Sequence, residues 1–312
     1  MTSSLAPEGI QVLDGGVATE LAHAGLTLRA PWWTTRALLT DTNRQLLRSV
    51  HEAYLAAGAR IITANTFRTN LRALRQTRLD DAGQAWMVHA AVGVAGAARN
   101  EARVQDALIA GSIGPVEDCY RPDLVPPNDE LRAEHGWLVR QLSRSEVDLY
   151  LVETMNTVRE ARIAVEQVLS VGGRAWVSFV CADDATLLSG EPLTGAVHAV
   201  QRDGAEAVLV NCSSPESTET ALRALCRSRY GMIGAYPNLE DRTGLSPHEH
   251  TEHALPPALG PDAFAELVAR WRTEYGLDIV GGCCGTSPAH VAAASRLLTG
   301  TGVAARDPEF AD

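Results

Sequence analysis

The sequence predicts an α/β fold, a single-domain (β/α)8 TIM barrel with its core at about residues 8–300. Eight short apolar runs rich in Val, Ile, Leu and Ala alternate with longer segments of helical character. Such continuous runs are typical of parallel strands that are buried on both faces. About eight strand-helix units favour a closed barrel over an open doubly wound sheet. The 312 residues fit one barrel, and no change in composition marks a domain boundary.

The predicted elements follow one another in strict alternation. The predicted strands cover residues 10–16, 60–67, 107–115, 148–155, 175–181, 207–213, 231–238 and 278–284. The predicted helices cover residues 43–57, 80–103, 130–144, 157–170, 193–202, 215–227, 261–275 and 288–298. Capping residues support several starts, since Asn156 precedes one helix and Ser214 and Ser287 each precede a proline. The longest predicted loop, 237–260, follows the seventh strand.

The composition limits the function classes. Hydrophobic residues at 46% and charged residues at 21% are typical of a soluble globular protein, and no window approaches the length of a membrane span. The formal net charge of -11 and the lack of a Lys/Arg stripe argue against a nucleic-acid partner. The N-terminus has no secretory signal pattern, so we expect a cytoplasmic protein with small-molecule partners. The oligomeric state stays open.

Side chains that could bind a ligand or a metal occur where the predicted strands end. They are Asp14, Asn65, Thr66, Glu153, Asn211, Cys212, Tyr236, Asn238, Cys283 and Cys284. In a parallel barrel the carboxyl ends of all eight strands face the same side, and active sites are built on that side. The sequence therefore predicts that these residues share one rim of the barrel.

Three of the six cysteines form the most informative pattern. Strands six and eight are close neighbours around a barrel, so Cys212 can approach Cys283 and Cys284. Adjacent cysteines can chelate only where the strand has ended, and Gly281 and Gly282 permit that bend. Three thiolates would leave one tetrahedral position of Zn²⁺ open, as in a catalytic site. The alternatives are an inert buried pair, a redox disulfide and a non-catalytic zinc or thiol-binding module.

Seven motifs together resemble a known family. The stretches DGGVATEL, ITANTF, GSIGP, LVETM, VNCSSPE, YPN and GGCCGTSPAHV occur in this order. They resemble the homocysteine S-methyltransferase family, a zinc-dependent barrel also found as the homocysteine domain of cobalamin-dependent methionine synthase. The resemblance covers roughly residues 8–300. It implies Zn²⁺ as the cofactor, with Cys212, Cys283 and Cys284 as ligands and the sulfur of homocysteine completing the shell.

The resemblance also implies the reaction and the substrate contacts. A methyl group would pass from a sulfonium donor, S-methylmethionine or S-adenosylmethionine, to homocysteine, giving methionine without a catalytic residue beyond the metal site. Glu153 would accept the ammonium of homocysteine, and Trp33 would face the cationic donor. The other implied substrate-binding residues are Asp14, Gly15, Gly16, Asn65, Thr66, Asn211 and Tyr236.

Two features depart from the family pattern. The betaine-using branch has a tyrosine shortly after strand two, where this chain has Arg68, and a guanidinium cannot act as a metal ligand. This difference disfavours betaine as the donor. His248, His250 and His253 match no family motif, and they are either a solvated charged loop or a second metal site. Another thiol or a selenol stays open as the acceptor.

Overall fold

The computed structural model describes residues 9–29, 32–228, 231–245, 251 and 253–300. Its strands are β1 (Gln11–Val12), β2 (Ile61–Ala64), β3 (Leu108–Ile113), β4 (Leu149–Met155), β5 (Ala175–Phe179), β6 (Ala207–Asn211), β7 (Met232–Tyr236) and β8 (Ile279–Val280). They form one parallel sheet in the order β1-β8-β7-β6-β5-β4-β3-β2. Leu13 bridges to Ile61, and the Asp14 amide donates to the Ile61 carbonyl at 2.9 Å. These contacts join β1 to β2, which confirms the predicted barrel.

Helices surround this sheet. They are α1 (Val17–His23), α2 (Asp41–Ala56), α3 (Leu71–Leu74), α4 (Asp81–Glu101), α5 (Asn128–Leu142), α6 (Val158–Ser170), α7 (Leu193–Asp203), α8 (Pro215–Leu225), α9 (Pro261–Tyr275) and α10 (Pro288–Thr299). Short 3-10 turns cover Trp33–Leu38, Pro122–Leu124 and Cys226–Ser228. Among the described helices, none is both long and apolar enough to cross a membrane.

Local capping explains where several helices begin. The side chains of Thr40, Asp80 and Ser214 accept hydrogen bonds from the first-turn amides of α2, α4 and α8. Asn156 does not cap α6. That role belongs to Thr157, whose hydroxyl accepts from the Glu160 amide at 3.3 Å. Asn156 instead donates to the Cys119 carbonyl at 2.8 Å, because its side chain is drawn into the rim of the barrel.

The barrel interior is filled by side chains. Its buried cluster consists of Leu13, Ile61, Ala110, Leu149, Leu151, Trp176, Ala207, Leu209, Tyr236 and Ile279. A second and larger buried layer lies between the strands and the helices. Because the interior is packed, the open space lies above it, at the carboxyl ends of the strands.

We expect Leu209→Ala to lower the free energy of unfolding by about 2–5 kcal/mol, because it removes buried apolar contacts and leaves a cavity. Leu209 is fully buried inside the barrel. The control is Leu297→Ala on α10, where the side chain is 53% exposed, and it should change stability by no more than about 0.5 kcal/mol. Urea denaturation measures both. Equal effects would contradict a packed interior.

Candidate functional site

Three cysteine side chains meet at the carboxyl ends of β6 and β8. The Sγ of Cys212 lies 2.9 Å from that of Cys283 and 3.8 Å from that of Cys284. All three sulfurs lie within 4.8 Å of one another. Within the described ranges, these cysteines form the only group of three or more His, Cys, Asp or Glu residues that could hold a metal ion.

The backbone holds the cysteines outside the sheet. Cys212 follows β6 with a left-handed φ of 51°, a conformation that costs about 1–3 kcal/mol outside glycine. Its amide donates to the Tyr236 carbonyl at 3.2 Å. The Cys283 amide donates to the Pro237 carbonyl at 3.0 Å, and the Cys284 carbonyl accepts from the Leu239 amide at 2.8 Å. The loops after β6, β7 and β8 therefore fix one another.

Glycines allow the turn after β1 to pack against the turn after β8. A Cβ on Gly16 would lie 2.7 Å from the Cys283 carbonyl oxygen. A Cβ on Gly15 would lie 2.8 Å from the Thr286 Oγ1, which accepts from the Gly16 amide at 2.9 Å. At Gly16, a larger residue would therefore press on the backbone that carries Cys283.

Hydrogen bonds within the cysteine cluster favour the thiolate form of Cys212. Contacts from Cys283 and Cys284 lower the pKa of Cys212 well below its usual value, and the contact with Cys212 raises the pKa of both partners. The Tyr120 hydroxyl also donates to the Cys212 Sγ, at 3.3 Å. Burial and then the charge of Cys212 raise the pKa of Tyr120, so the phenol stays protonated. One thiolate is thus held by three donors.

The donor set suits zinc. Tetrahedral Zn²⁺ at about 2.3 Å from each thiolate places two sulfurs about 3.8 Å apart. Cys212 and Cys284 have this separation, whereas Cys283 lies closer to Cys212, at 2.9 Å. All three cysteines border a cavity, so one side of the cluster faces open space.

That cavity has a volume of about 220 Å³, and most of the predicted substrate-binding residues line it. Its lining includes Asp14, Gly15, Gly16, Trp33, Asn65, Glu153, Tyr236, Cys212, Cys283 and Cys284. It also includes Arg68 and Tyr120, which were not predicted to bind substrate. Tyr120 could not be singled out from the sequence, because nothing in the loop after β3 distinguishes a rim tyrosine from a surface one.

Two predicted substrate residues do not line the cavity. The Thr66 hydroxyl is buried and donates to the Ser112 carbonyl at 2.7 Å. The Asn211 Oδ1 accepts from the Thr154 amide at 3.1 Å, and its Nδ2 donates to the Thr154 hydroxyl at 2.8 Å. Both side chains fasten neighbouring strand ends behind the cavity wall, because buried backbone groups there need partners.

Two buried carboxyl groups belong to the cavity wall. Asp14 accepts from the Thr63 amide at 2.7 Å and from the Thr63 hydroxyl at 2.9 Å. Glu153 accepts from the Ser112 hydroxyl and from the Tyr236 hydroxyl, the latter at 3.1 Å. Burial raises the pKa of Asp14 to about 7 and that of Glu153 to about 7. A bound cation would favour their charged forms.

Asn65 and Arg68 both donate hydrogen bonds to backbone carbonyl groups. The Asn65 side chain donates to the Thr34 carbonyl at 2.9 Å. Arg68 donates to the Pro115 and Glu117 carbonyls, so it ties the loop after β2 to the loop after β3. His248 and His250 lie outside the described residues. His253 borders a second, smaller cavity.

The fold and the site define a barrel protein with three cysteines at its carboxyl-end rim that could hold a metal ion. The family model for homocysteine S-methyltransferases matches residues 11–298. The chain therefore belongs to the homocysteine S-methyltransferase family, which confirms the resemblance seen in the sequence.

Individual relatives match along nearly their full length. The chain is 28% identical over 302 residues to a homocysteine S-methyltransferase of Escherichia coli K12, covering 92% of this chain and 94% of the relative. It is 25% identical to a selenocysteine Se-methyltransferase of Brassica oleracea, with 93% and 89% covered. The metallated form of the Escherichia coli homocysteine methyltransferase MmuM superposes with a TM-score of 0.80 at 27% identity, covering 93% and 97%.

We expect Gly16→Ala to reduce the amount of metal bound per chain. The added Cβ would press on the Cys283 carbonyl and displace a cysteine of the cluster. The control is Gly93→Ala in α4, where an added Cβ meets nothing within 4 Å. Elemental analysis after zinc loading and dialysis measures the effect. A Gly16→Ala protein with full metal content would show that this contact does not position Cys283.

Proposed function

We propose that the protein is a zinc-dependent homocysteine S-methyltransferase that converts homocysteine to methionine. S-methylmethionine is the proposed preferred donor, and S-adenosylmethionine is a poorer one. The observation that carries the proposal is the three-cysteine cluster, which opens into a cavity with two buried carboxyl groups. Such a site can hold a thiol at the metal and an ammonium beside it. The family relationship supports the same chemistry.

Cys212, Cys283 and Cys284 would hold the zinc. Zinc bound there would keep the homocysteine sulfur as a thiolate at neutral pH, where a free thiol with a pKa near about 8.5 is mostly protonated. Thiolate ligands favour zinc over hard cations such as Mg²⁺ and Ca²⁺. The similarity to a metallated relative supports a bound metal.

The cavity residues bind and orient homocysteine in this proposal. The Glu153 carboxylate accepts hydrogen bonds from the ammonium of homocysteine. The Ser112 and Tyr236 hydroxyls also donate to Glu153 and hold its side chain in place. Asp14 supplies a second negative group, and Asn65 supplies a polar contact. The Gly15 and Gly16 backbone forms the floor of the pocket, while Thr66 and Asn211 act indirectly by holding the wall in place.

The transfer is a single in-line displacement. A bond forms between the homocysteine sulfur and the methyl carbon as the bond from that carbon to the donor sulfur breaks, and the donor leaves as a neutral thioether. No proton moves in this step, so no general base is required. The protein contributes by holding both reactants close together, and the indole of Trp33 stabilises the cationic donor by about 0.5–2 kcal/mol.

A selenol is the second candidate acceptor. The similarity to a selenocysteine Se-methyltransferase favours it, because selenium can occupy the place of sulfur beside the same residues. Competition between homocysteine and selenocysteine for one labelled donor distinguishes the two acceptors.

We place the protein in the cytoplasm. All six cysteines are free, and the proposed reaction needs reduced thiols, which a reducing compartment maintains.

The first experiment supplies zinc-loaded protein with homocysteine and methyl-labelled S-methylmethionine, and detects labelled methionine by mass spectrometry. We expect label in the methionine derived from homocysteine. Cys212→Ser should lose zinc and transfer together, because it removes one of three ligands. The control Cys226→Ser changes a cysteine outside the cluster and should keep both. Normal turnover by metal-free protein would refute the mechanism.

Glu153→Gln should keep zinc but raise the KM for homocysteine about 10- to 100-fold, since a charged hydrogen bond contributes about 1.5–3 kcal/mol. Burial raises the pKa of Glu153 to about 7. Below that pH the carboxyl is protonated and cannot pair with an ammonium, so kcat/KM for homocysteine should fall as the pH drops through 7.

The pH profile of Glu153→Gln should lack this additional fall, because the amide does not titrate. Glu216→Gln, at an exposed position in the first turn of α8, is the matched control and should behave as the wild type. Steady-state kinetics from pH 6 to 9, with metal content checked at each pH, make the comparison. An identical acid limb in wild type and Glu153→Gln would show that another group holds the ammonium.

A further inference from the structure

A second cavity adjoins the cysteine cluster. It measures about 100 Å³ and shares Ala18, Trp33, Tyr120 and Cys284 with the larger cavity. The loop after β7 contributes Glu240 and Arg242 to its wall. The two cavities thus meet beside the cluster, with an aromatic boundary between them.

Glu240 is held firmly next to the cluster. Its neighbour Leu239 donates an amide hydrogen bond to the Cys284 carbonyl at 2.8 Å. The Glu240 amide donates to the Asn238 Oδ1 at 2.8 Å. The Glu240 backbone also pairs with that of Pro257 in an isolated antiparallel β-bridge. A Cβ on Gly285 would lie only 2.6 Å from the Glu240 nitrogen. The backbone that carries this carboxylate is therefore tied to the backbone that carries the cysteines.

Glu240 and Arg242 present opposite charges side by side. An Arg242 guanidinium nitrogen lies 3.0 Å from the Glu240 Oε2, and the side chains are 29% and 12% exposed. An α-amino acid also carries adjacent opposite charges. Placed head to tail beside this pair, its ammonium meets the carboxylate and its carboxylate meets the guanidinium.

We propose that the smaller cavity binds the α-amino-acid end of the methyl donor, with Glu240 receiving its ammonium and Arg242 its carboxylate. This assignment rests on the proposed function and deepens it. It makes Glu240 and Arg242 the residues that select a sulfonium donor bearing an amino-acid group.

The cysteines distinguish the donor cavity from the acceptor cavity. The larger cavity is bordered by all three cysteines, and the smaller one by Cys284 alone. A sulfur that completes a metal shell must approach all three ligands, so it enters from the larger cavity. The donor needs only to bring its methyl group to that sulfur, and the boundary of Trp33 and Tyr120 lies on this path.

The test compares two donors on the zinc-loaded full chain. S-methylmethionine carries the amino-acid group, whereas trimethylsulfonium carries only the cationic centre. We expect Glu240→Gln and Arg242→Ala to raise the KM for S-methylmethionine about 10- to 100-fold. The KM for homocysteine should stay within about twofold. Calorimetry without homocysteine should show the same loss of S-methylmethionine affinity and an unchanged Kd for trimethylsulfonium.

Asp241→Asn is the matched control. It removes one carboxylate from the same loop, outside the cavity wall, and an amide can still accept the hydrogen bond from the Thr243 amide. It should bind both donors as the wild type does. Metal content and thermal unfolding temperature, measured for all variants, verify that each protein is folded and loaded.

Three results would overturn the assignment. Unchanged S-methylmethionine affinity in both variants would show that the ion pair only stabilises the loop. A raised KM for homocysteine would give the smaller cavity to the acceptor, and equal losses for both donors would indicate a general structural effect. Absence of methyl transfer by the wild type would refute the proposed function instead. Calorimetry of S-methylmethionine would still decide whether the cavity binds amino acids.

Discussion

The packing of the turn after β1 against the turn after β8 is the contact on which the site depends. Gly16 lets the backbone of the first turn approach the Cys283 carbonyl more closely than a side chain would permit, and its amide donates to the Thr286 Oγ1. The same contact lies at the junction of the first and last strands and supports the carbonyl of Cys283. The contact between the first and last strands of the barrel therefore also helps to position Cys283.

Negative groups gather above this contact at a cost in stability. Asp14 and Glu153 are buried carboxyl groups, and burial raises the pKa of each to about 7. Near neutral pH the folded state resists their ionisation, whereas the unfolded chain does not, so both groups weaken folding as the pH rises from about 4 towards 7. A cationic ligand reverses this penalty.

Elements that leave a strong local pattern in the sequence could be predicted without the structure. Continuous apolar runs mark parallel strands because both faces of such strands are buried, and all eight runs contain a strand of the barrel. Even so, β1 and β8 are only two residues long, although the Gly281 amide still donates to the Ala235 carbonyl of β7 and the Gly282 amide to the Asp14 carbonyl. Hydropathy marks such a run but not the residue at which pairing stops.

The sequence by itself determined the barrel, the family and the three cysteines, because buried parallel strands and adjacent cysteines after two glycines each leave a distinct local pattern in the chain. Only the tertiary structure decided which polar side chains face the cavity. In the folded chain, the Thr66 and Asn211 side chains form hydrogen bonds behind the cavity wall, and the Tyr120 hydroxyl donates to the Cys212 Sγ. The tertiary structure also set Glu240 beside the cluster. Side-chain direction at a strand end depends on partners that are distant in sequence, and no local pattern records them.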